Sequence, residues 1–581
     1  MSKVIIIGGV AGGATAAARL RRLNEHTEII MFEQGEHISF ANCGLPYYVG
    51  GTIANREDLL LQTPMSFHRR FNIDVRVQSK VLSIDRKGKS VVVKNILTDE
   101  TRSESYDKLI LAPGGTPVKP PIEGINSDHV FFLRNVADVD RIKAYIEVNK
   151  PQSAAVVGGG FIGIEMAENL KAAGLNVSII ELSDQVIAPL DTDMACDVHR
   201  HLRQRGVSLY LNNGLLKIAE QDGSLILNMS NGTLKADMLI LAIGVRPESQ
   251  LAKEAGLNVN GQGGIVVNKH MCTSDPDIYA VGDAVEVIDF VTGQSAMIPL
   301  AGPANKQARI AADNICGISS EYGGTQGSAI IKVFDITIAA TGLNEKNAKR
   351  LGMKFESHKK NDNAGTNTTL FHEFLVRGMG GASCANYDKV FLWLPGHAGY
   401  YPGSKFMSMK VLFEKGNGKI LGAQIIGSGG VDKRCDVLAT AIRAGMTAFD
   451  LTQLELCYAP PYSSAKDPVN MAGYVIENLL TGKVKNFHWH EVDTLPRDGS
   501  VTLLDVRTPQ EVMKGSIDGF INIPLDSLRE RMGELDRSKP VYAHCHSGMR
   551  SYIAARILSQ NGFDVYNLSG GYRLYNSVKT V

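Results

Sequence analysis

Two cysteines with no cysteine nearby sit in reactive surroundings, Cys43 and Cys545. Cys43 lies in Ser39-Phe40-Ala41-Asn42-Cys43-Gly44-Leu45-Pro46-Tyr47-Tyr48. The positions five residues to either side are Ile38 and Tyr48, so neither supplies a disulfide mate, and a partner has to come from outside. A lone thiol of this kind can exchange with a small thiol, carry a persulfide or pass through a sulfenic acid. A helix opening at Gly44-Leu45-Pro46 is expected to favour its thiolate, because helix N-termini depress a cysteine pKa below about 8.5. Cys545 heads the loop Cys545-His546-Ser547-Gly548-Met549-Arg550, between an expected strand over 541–544 and a helix over 551–561. The N–H groups of such a loop converge into an anion nest, the helix adds its dipole, and Arg550 adds a fixed cation. Thiolate and persulfide are both expected to be held there.

The other six cysteines, Cys196, Cys272, Cys316, Cys384, Cys435 and Cys457, include no Cys-x-x-Cys pair. That argues against a structural zinc site and against a secreted disulfide framework, and no metal is expected. A chain of 581 residues calls for three or four domains. A hydrophobic content of 44%, 21% charged residues and a net charge of +1 are those of an ordinary globular protein, with no electrostatic footprint for nucleic acid or an anionic membrane. The apolar start meets Gly8-Gly9 too early for a signal peptide, and no run approaches the ~20 apolar residues of a spanning helix. A cytoplasmic location is expected.

Two units, one on either side of Cys43 in the chain, stand to position chemistry there. A strand over 4–7 leads into Gly8-Gly9-Val10-Ala11-Gly12-Gly13, a helix over 14–23 and a strand over 29–32 ending at Glu33. A second copy runs from 154–157 through Gly158-Gly159-Gly160-Phe161-Ile162-Gly163, a helix over 164–173 and a strand over 177–180 to Glu181. This is the dinucleotide fingerprint: glycine lets backbone N–H groups approach a pyrophosphate at a helix N-terminus, and the acid accepts from ribose hydroxyls. Val10 replaces the middle glycine of the first copy, and the complete second copy restores the signal. Leu182 and Ser183 follow Glu181, with no arginine before Arg200 to pair a 2′-phosphate, so NADH is expected over NADPH. Residues 109–115, carrying Ala112 and Gly114, and 239–244 are short buried strands ending in glycine turns, where the chain passes between nucleotide domains. Tyr279-Ala280-Val281-Gly282-Asp283 places an acid beside a glycine at a strand end. It resembles the second flavin-binding motif of two-dinucleotide-fold flavoproteins, whose aspartate bonds the ribityl chain.

The expected fold is α/β. Two Rossmann-like domains, for FAD (1–115 and 246–321) and NAD(P)H (116–245), precede an α+β interface domain over 322–481, a linker over 482–486 and a C-terminal α/β domain over 487–581. FAD is expected on Gly8, Gly12, Gly13, Glu33, Ala112, Gly114, Gly282 and Asp283. NADH is expected on Gly158, Gly160, Phe161, Gly163 and Glu181.

Residues 1–480 resemble the single-cysteine branch of the pyridine nucleotide-disulfide oxidoreductases, and the Ser-Phe-x-x-Cys-Gly-Leu-Pro-Tyr-Tyr run around Cys43 is similar to that of the coenzyme A-disulfide reductases within it. The resemblance implies FAD, a coenzyme A thiol paired with Cys43, and a homodimer whose C-terminal domain completes the partner's active site. His397-Ala398-Gly399-Tyr400-Tyr401-Pro402-Gly403 and Tyr458-Ala459-Pro460-Pro461-Tyr462-Ser463 are similar to segments supplying two tyrosines across that interface. It points to Tyr400 and Tyr458 as donors to a leaving thiolate, and to Phe161 as an aromatic that covers the flavin until nicotinamide displaces it. Arg19, Arg22, Ser39, Asn42, Asn305 and Arg309 are candidates for coenzyme A contacts. Residues 361–396 are longer than the family pattern. They are read as a tolerated surface loop or as an insertion that reshapes the substrate channel near Tyr400.

From about Phe487 onward the chain resembles a rhodanese domain, through Leu503-Leu504-Asp505-Val506-Arg507-Thr508-Pro509-Gln510-Glu511, Ile521-Asn522-Ile523-Pro524-Leu525 and the six-residue Cys545–Arg550 loop, which suits sulfur better than phosphate. Together the halves imply NADH-dependent reduction of persulfide, polysulfide or coenzyme A-disulfide to thiol plus hydrosulfide, with Cys545 carrying sulfane sulfur. The rivals are an NADH oxidase or peroxidase working through a Cys43 sulfenic acid, and a sulfur-trafficking module in which the flavin half only resets the redox state of Cys545.

Overall fold

The computed structural model describes residues 2–355 and 386–580, which form two compact units. The first comprises Met1–Ala188 and Leu202–Gly327. It opens with β1 (Lys3–Ile7), α1 (Ala11–Leu23) and β2 (Glu28–Phe32), followed by a short helix α2 (Leu45–Val49). Its first sheet is five-stranded and wholly parallel, in the order Ile278–Ala280, Lys108–Leu111, β1, β2, Asp74–Arg76. Val4, Ile5 and Ile6 are fully buried, as expected of a strand covered on both faces. The second fingerprint repeats this construction as β3 (Ser153–Val157), α3 (Phe161–Ala172) and β4 (Asn176–Ile180). Its parallel sheet runs Val207–Tyr210, β4, β3, Met238–Leu241, Val130–Phe131.

Both fingerprint helices begin three residues earlier than propensity suggests, with Gly12, Gly13 and Gly163 inside their first turns. Close packing outweighs glycine's poor helix propensity here. A Cβ on Gly13 would lie 1.8 Å from the Gly8 oxygen, and one on Gly163 would lie 1.9 Å from the Gly158 oxygen.

The second unit comprises Pro189–His201 and Ser328–Val581. Strands β5 (Ala329–Val333), β6 (Ile336–Gly342), β7 (Tyr387–Pro395), β8 (Phe406–Glu414) and β9 (Ile420–Gly427) form an antiparallel sheet in the order β5-β6-β9-β8-β7. Much of the segment read as a long loop falls outside the described residues, over 361–385. Its remainder is no loop: Lys389-Val390-Phe391-Leu392-Trp393-Leu394 lies within β7, the sheet's last strand.

The C-terminal part of this unit contains β10 (Lys485–Phe487), β11 (Thr502–Asp505), β12 (Ile521–Asn522), β13 (Val541–His544), α4 (Met549–Gln560), β14 (Val565–Leu568) and α5 (Gly571–Lys579). Its parallel sheet has the order β10-β14-β13-β11-β12. The expected linker is therefore shorter than read, because Lys485 and Asn486 pair with Tyr566 and Asn567 as part of the sheet.

A buried charge cluster ties Pro189–His201 into this unit. Lys410 on β8 is fully buried, its Nζ 2.8 Å from Asp191 Oδ2, 2.9 Å from Asp193 Oδ1 and 2.5 Å from Glu345 Oε2. Lys389 on β7 reaches Glu345 Oε2 at 2.7 Å. The three carboxylates are close enough together to hold a metal ion, but the Lys410 ammonium stands among them. Burial opposes the charge on Lys410, yet Asp193, Asp191 and Glu345 outweigh it and raise the ammonium's pKa. Burial likewise opposes the Glu345 carboxylate, and Lys410 and Lys389 outweigh it, holding that group below the ordinary range.

Candidate active site

The two glycine turns are built alike. Glu33 accepts from Gly9 N and from Gly35 N, each at 2.8 Å, and Glu181 accepts from Gly159 N at 2.6 Å and Ser183 N at 2.8 Å. Each acid thus clamps its own turn, with lone pairs left over for a ribose hydroxyl. A Cβ on Gly158 would meet Ala242 O at 2.3 Å, whereas one on Gly160 would meet nothing within 4 Å, so open ground lies before the N-terminus of α3. Phe161 is the first residue of that helix. Ala112 N donates to Ile7 O at 2.8 Å, Gly114 takes a φ of +72°, and Gly282 N donates to Gln307 Oε1 at 2.8 Å. Asp283 is half-buried, and burial raises its carboxyl pKa against the opposing charge of Arg134.

Cys43 sits in the short turn Asn42–Gly44 that leads into α2. The helix expected there exists but has only five residues, and the expected favouring of the thiolate is overturned. Although part of the residue is exposed, the crowded surroundings of its sulfur raise the thiol pKa, and the charges of Glu165 and Asp283 add to the shift. Glu165 lies on α3, four residues after Phe161, and accepts from Tyr47 Oη at 3.3 Å. Burial pushes its carboxyl up to about 7; the Tyr47 hydrogen bond opposes this and the charge of Glu168 reinforces it. With its amide oriented to suit its neighbour, Asn42 donates to Arg134 O at 2.9 Å and accepts from Arg134 Nη1 at 3.3 Å. Glu165, Tyr47 and Arg134 were not singled out as site residues from the sequence. The available signal for Glu165 was its place on the fingerprint helix, one turn beyond Phe161.

A pH dependence follows. Glu165 is mostly neutral below about pH 7 and charged above it, and its charge opposes a neighbouring thiolate. Glu165→Gln should therefore speed iodoacetamide alkylation of Cys43 roughly threefold at pH 8 and leave it nearly unchanged at pH 6, read by peptide mass spectrometry. Equal rates for both proteins at pH 8 would show that Glu165 does not act on this sulfur. The same group subtracts stability as pH rises from about 4.5 through about 7, because the native carboxyl holds a proton that the unfolded chain has released.

Among the coenzyme A candidates, Arg19 is bound to Asp313 at 2.7 Å, while Asn305 accepts from Thr15 Oγ1 at 2.5 Å and donates to Ala301 O at 2.8 Å. Arg22 and Arg309 are exposed, and half-buried Ser39, at a φ of +46°, donates from its backbone to Gly9 O at 2.9 Å. In the second unit the Tyr400 and Tyr458 hydroxyls lie 2.9 Å apart, with the residues 76% and 48% exposed. The hydrogen bond to Tyr458 raises the pKa of Tyr400.

Cys545 is buried, and its sulfur accepts from Gly548 N at 3.1 Å and Ser551 Oγ at 3.3 Å. Gly548, at a φ of +102°, lets the loop turn back on the sulfur. Arg550, expected as a cation for the sulfur, does interact with Cys545, and it is also held by Glu511 through a two-pronged pair at 2.7 and 2.6 Å, which keeps the Glu511 carboxyl at about 2. Ser551 was not singled out from the sequence, and Glu511 was noted only within the motif. All seven described cysteines are free thiols, and Cys384 lies outside the described residues.

Residues 2–307 match the family model for pyridine nucleotide-disulphide oxidoreductases, and residues 381–468 match the dimerisation domain of the same family. The chain belongs to this family. A rhodanese-like domain follows over residues 488–577. As a member of the oxidoreductase family the chain is a flavoprotein using FAD and NADH, and the glycine turns with open ground before α3 fit such dinucleotides. The coenzyme A disulfide reductase of Staphylococcus epidermidis is 35% identical over 475 residues, covering 82% of this chain and 99% of that one. The crystal structure of reduced Bacillus anthracis CoADR-RHD aligns with a TM-score of 0.92 at 49% identity, over 100% of this oxidoreductase and 99% of that chain. A NAD-dependent persulfide reductase from A. fulgidus aligns with a TM-score of 0.87 at 36% identity, over 99% and 100%. No helix among the described residues of this oxidoreductase is long and apolar enough to cross a membrane.

Proposed function

We propose that the enzyme uses NADH to reduce coenzyme A-persulfide, coenzyme A-disulfide or polysulfide to thiol plus hydrosulfide, through a mixed disulfide between Cys43 and coenzyme A. The observation that carries this reading is Cys43 itself, a free, partly exposed thiol beside two carboxyl groups and a tyrosine, with no cysteine partner among the described residues. FAD on the Gly8–Gly13 turn and NADH on the Gly158–Gly163 turn supply the electron pair when bound. The Cys43 thiolate attacks one sulfur of the substrate; a new S–S bond forms to Cys43, the old one breaks, and the leaving thiolate takes up a proton. In the homodimer Tyr400 and Tyr458 serve the partner's Cys43 and donate that proton, which accords with two mutually bonded hydroxyls on exposed residues. Reduction of the mixed disulfide frees the coenzyme A thiolate to attack sulfane sulfur. Cys545 carries that sulfur as a persulfide, cradled by Gly548 N and Ser551 Oγ. A reducing cytoplasm suits the free thiols.

Comparing NADH turnover on polysulfide with oxygen uptake in the absence of a sulfur substrate tests the reaction class. Polysulfide turnover should dominate; dominant oxygen uptake would make the enzyme an oxidase. Replacing both Tyr400 and Tyr458 by Phe should lower kcat on coenzyme A-disulfide by a factor on the order of 10², with thiosulfate:cyanide transfer unchanged. An unaltered kcat would remove the tyrosines from the mechanism.

A further inference from the structure

The apolar strand β7 does more than complete a sheet. It is the last strand of the β5–β9 sheet, where unpaired backbone groups invite pairing with another chain. Here the edge is met by the rhodanese-like part of the same unit, with Phe391 N donating to Ser569 Oγ at 3.2 Å. Two residues on, the Trp393 ring meets the His546 ring edge-on, centroids 5.2 Å apart at 70°. Trp393 is itself fixed by a stack with Phe406, a diagonal neighbour on β8, at 3.9 Å and 14°.

His546 directly follows the sulfur-bearing residue, and its peptide is gripped from the other side. Tyr572 N donates to Cys545 O at 2.8 Å and Arg573 N to His546 O at 2.9 Å, from the first turn of α5. Arg573 also pairs with Asp197 at 2.5 Å and lies 5.5 Å from the Trp393 ring centroid. Asp197 in turn accepts from Ser408 Oγ on β8 at 2.9 Å. The Cys545–Arg550 loop is thus held between α5 and an aromatic pair supplied by the β7–β8 hairpin. A free-standing sulfurtransferase domain would lack that pair.

We propose that Trp393 is a positioning residue of the sulfur-transfer site, its ring holding the Cys545–Arg550 loop through His546 in the geometry that seats a persulfide. This rests on the reading of Cys545 as the sulfur carrier. The geometry makes the β7–β8 hairpin part of the sulfurtransferase.

The test uses the full-length holoenzyme and two assays, thiosulfate:cyanide sulfur transfer and NADH-dependent reduction of coenzyme A-disulfide. Trp393→Ala should lower kcat for transfer about tenfold, with little change in KM for thiosulfate and an unchanged reductase rate, and Trp393→Phe should restore most of the loss. In a His546→Ala background the Trp393→Ala change should cost far less than it does in the wild type, because most of its effect runs through that ring contact. Wild-type transfer by Trp393→Ala, losses that multiply in the double variant, or a parallel fall of both activities with a lowered Tm would each overturn the proposal. Full transfer activity in Cys545→Ser would instead defeat the underlying assignment of the sulfur carrier.

Discussion

Cys43→Ser is expected to lower NADH-dependent hydrosulfide release from polysulfide by a factor on the order of 10³ or more, while leaving thiosulfate:cyanide transfer at Cys545 intact. The split follows from the sites' construction. The Cys43 sulfur stands beside Glu165 and Asp283 in the first unit, whereas the Cys545 sulfur has its own donors, Gly548 N and Ser551 Oγ, in the second. A serine oxygen can neither form the mixed disulfide nor be returned to a thiol by an electron pair. Hydrosulfide release from Cys43→Ser at the wild-type rate would remove the mixed disulfide from the mechanism. Loss of both activities would mean that sulfur reaches Cys545 only by way of Cys43.

Lys410→Met should destabilise the protein by roughly 3–5 kcal/mol, the usual cost of stranding one side of a buried ion cluster. Removing the ammonium leaves Asp191, Asp193 and Glu345 facing one another, with Lys389 as the remaining buried cation among these five groups. Urea or thermal unfolding of the variant checks the figure, and a loss under about 1 kcal/mol would show that the carboxylates find protons or water at little cost. The pH window has a definite sign. Glu345 is depressed from 4.5, so its share of stability is present above that pH and lost as pH falls further; Lys410 is raised from 10.5, so its share is complete below that pH and lost above. Glu345 and Lys410 therefore contribute fully between about pH 4.5 and 10.5, whereas Lys389, whose ammonium pKa is lowered by burial and by the charge of Lys410, subtracts from the cluster while it is protonated.

What the sequence made legible were features in which chemistry dictates residue type at fixed spacing. Glycine at 8, 13, 158 and 163 is required by close packing against the preceding turn or the neighbouring strand, so both nucleotide units could be read with their acids. The Cys545–Arg550 loop was readable for the same reason, since Gly548 alone tolerates its φ of +102°. Contacts between distant segments were not legible. Lys389 and Lys410 are charged residues in apolar strands, and only the fold shows that Asp191, Asp193 and Glu345 meet them. The stretch 389–394 reads as part of a loop in the sequence because its strand partner, the segment Phe406–Glu414, carries no local signal of pairing. At Cys43 the helix rule was applied to the right place, but it says nothing of carboxylates arriving from residues 165 and 283. The pair of Arg550 with Glu511 is hidden from the sequence in the same way, because 39 residues separate them.

The most direct test of the account is mass spectrometry of the oxidised full-length enzyme, denatured without reductant and digested. The Cys43 peptide should carry the mass of coenzyme A and lose it on treatment with a thiol reductant. A Cys43 peptide linked to another cysteine of the same chain would contradict the account.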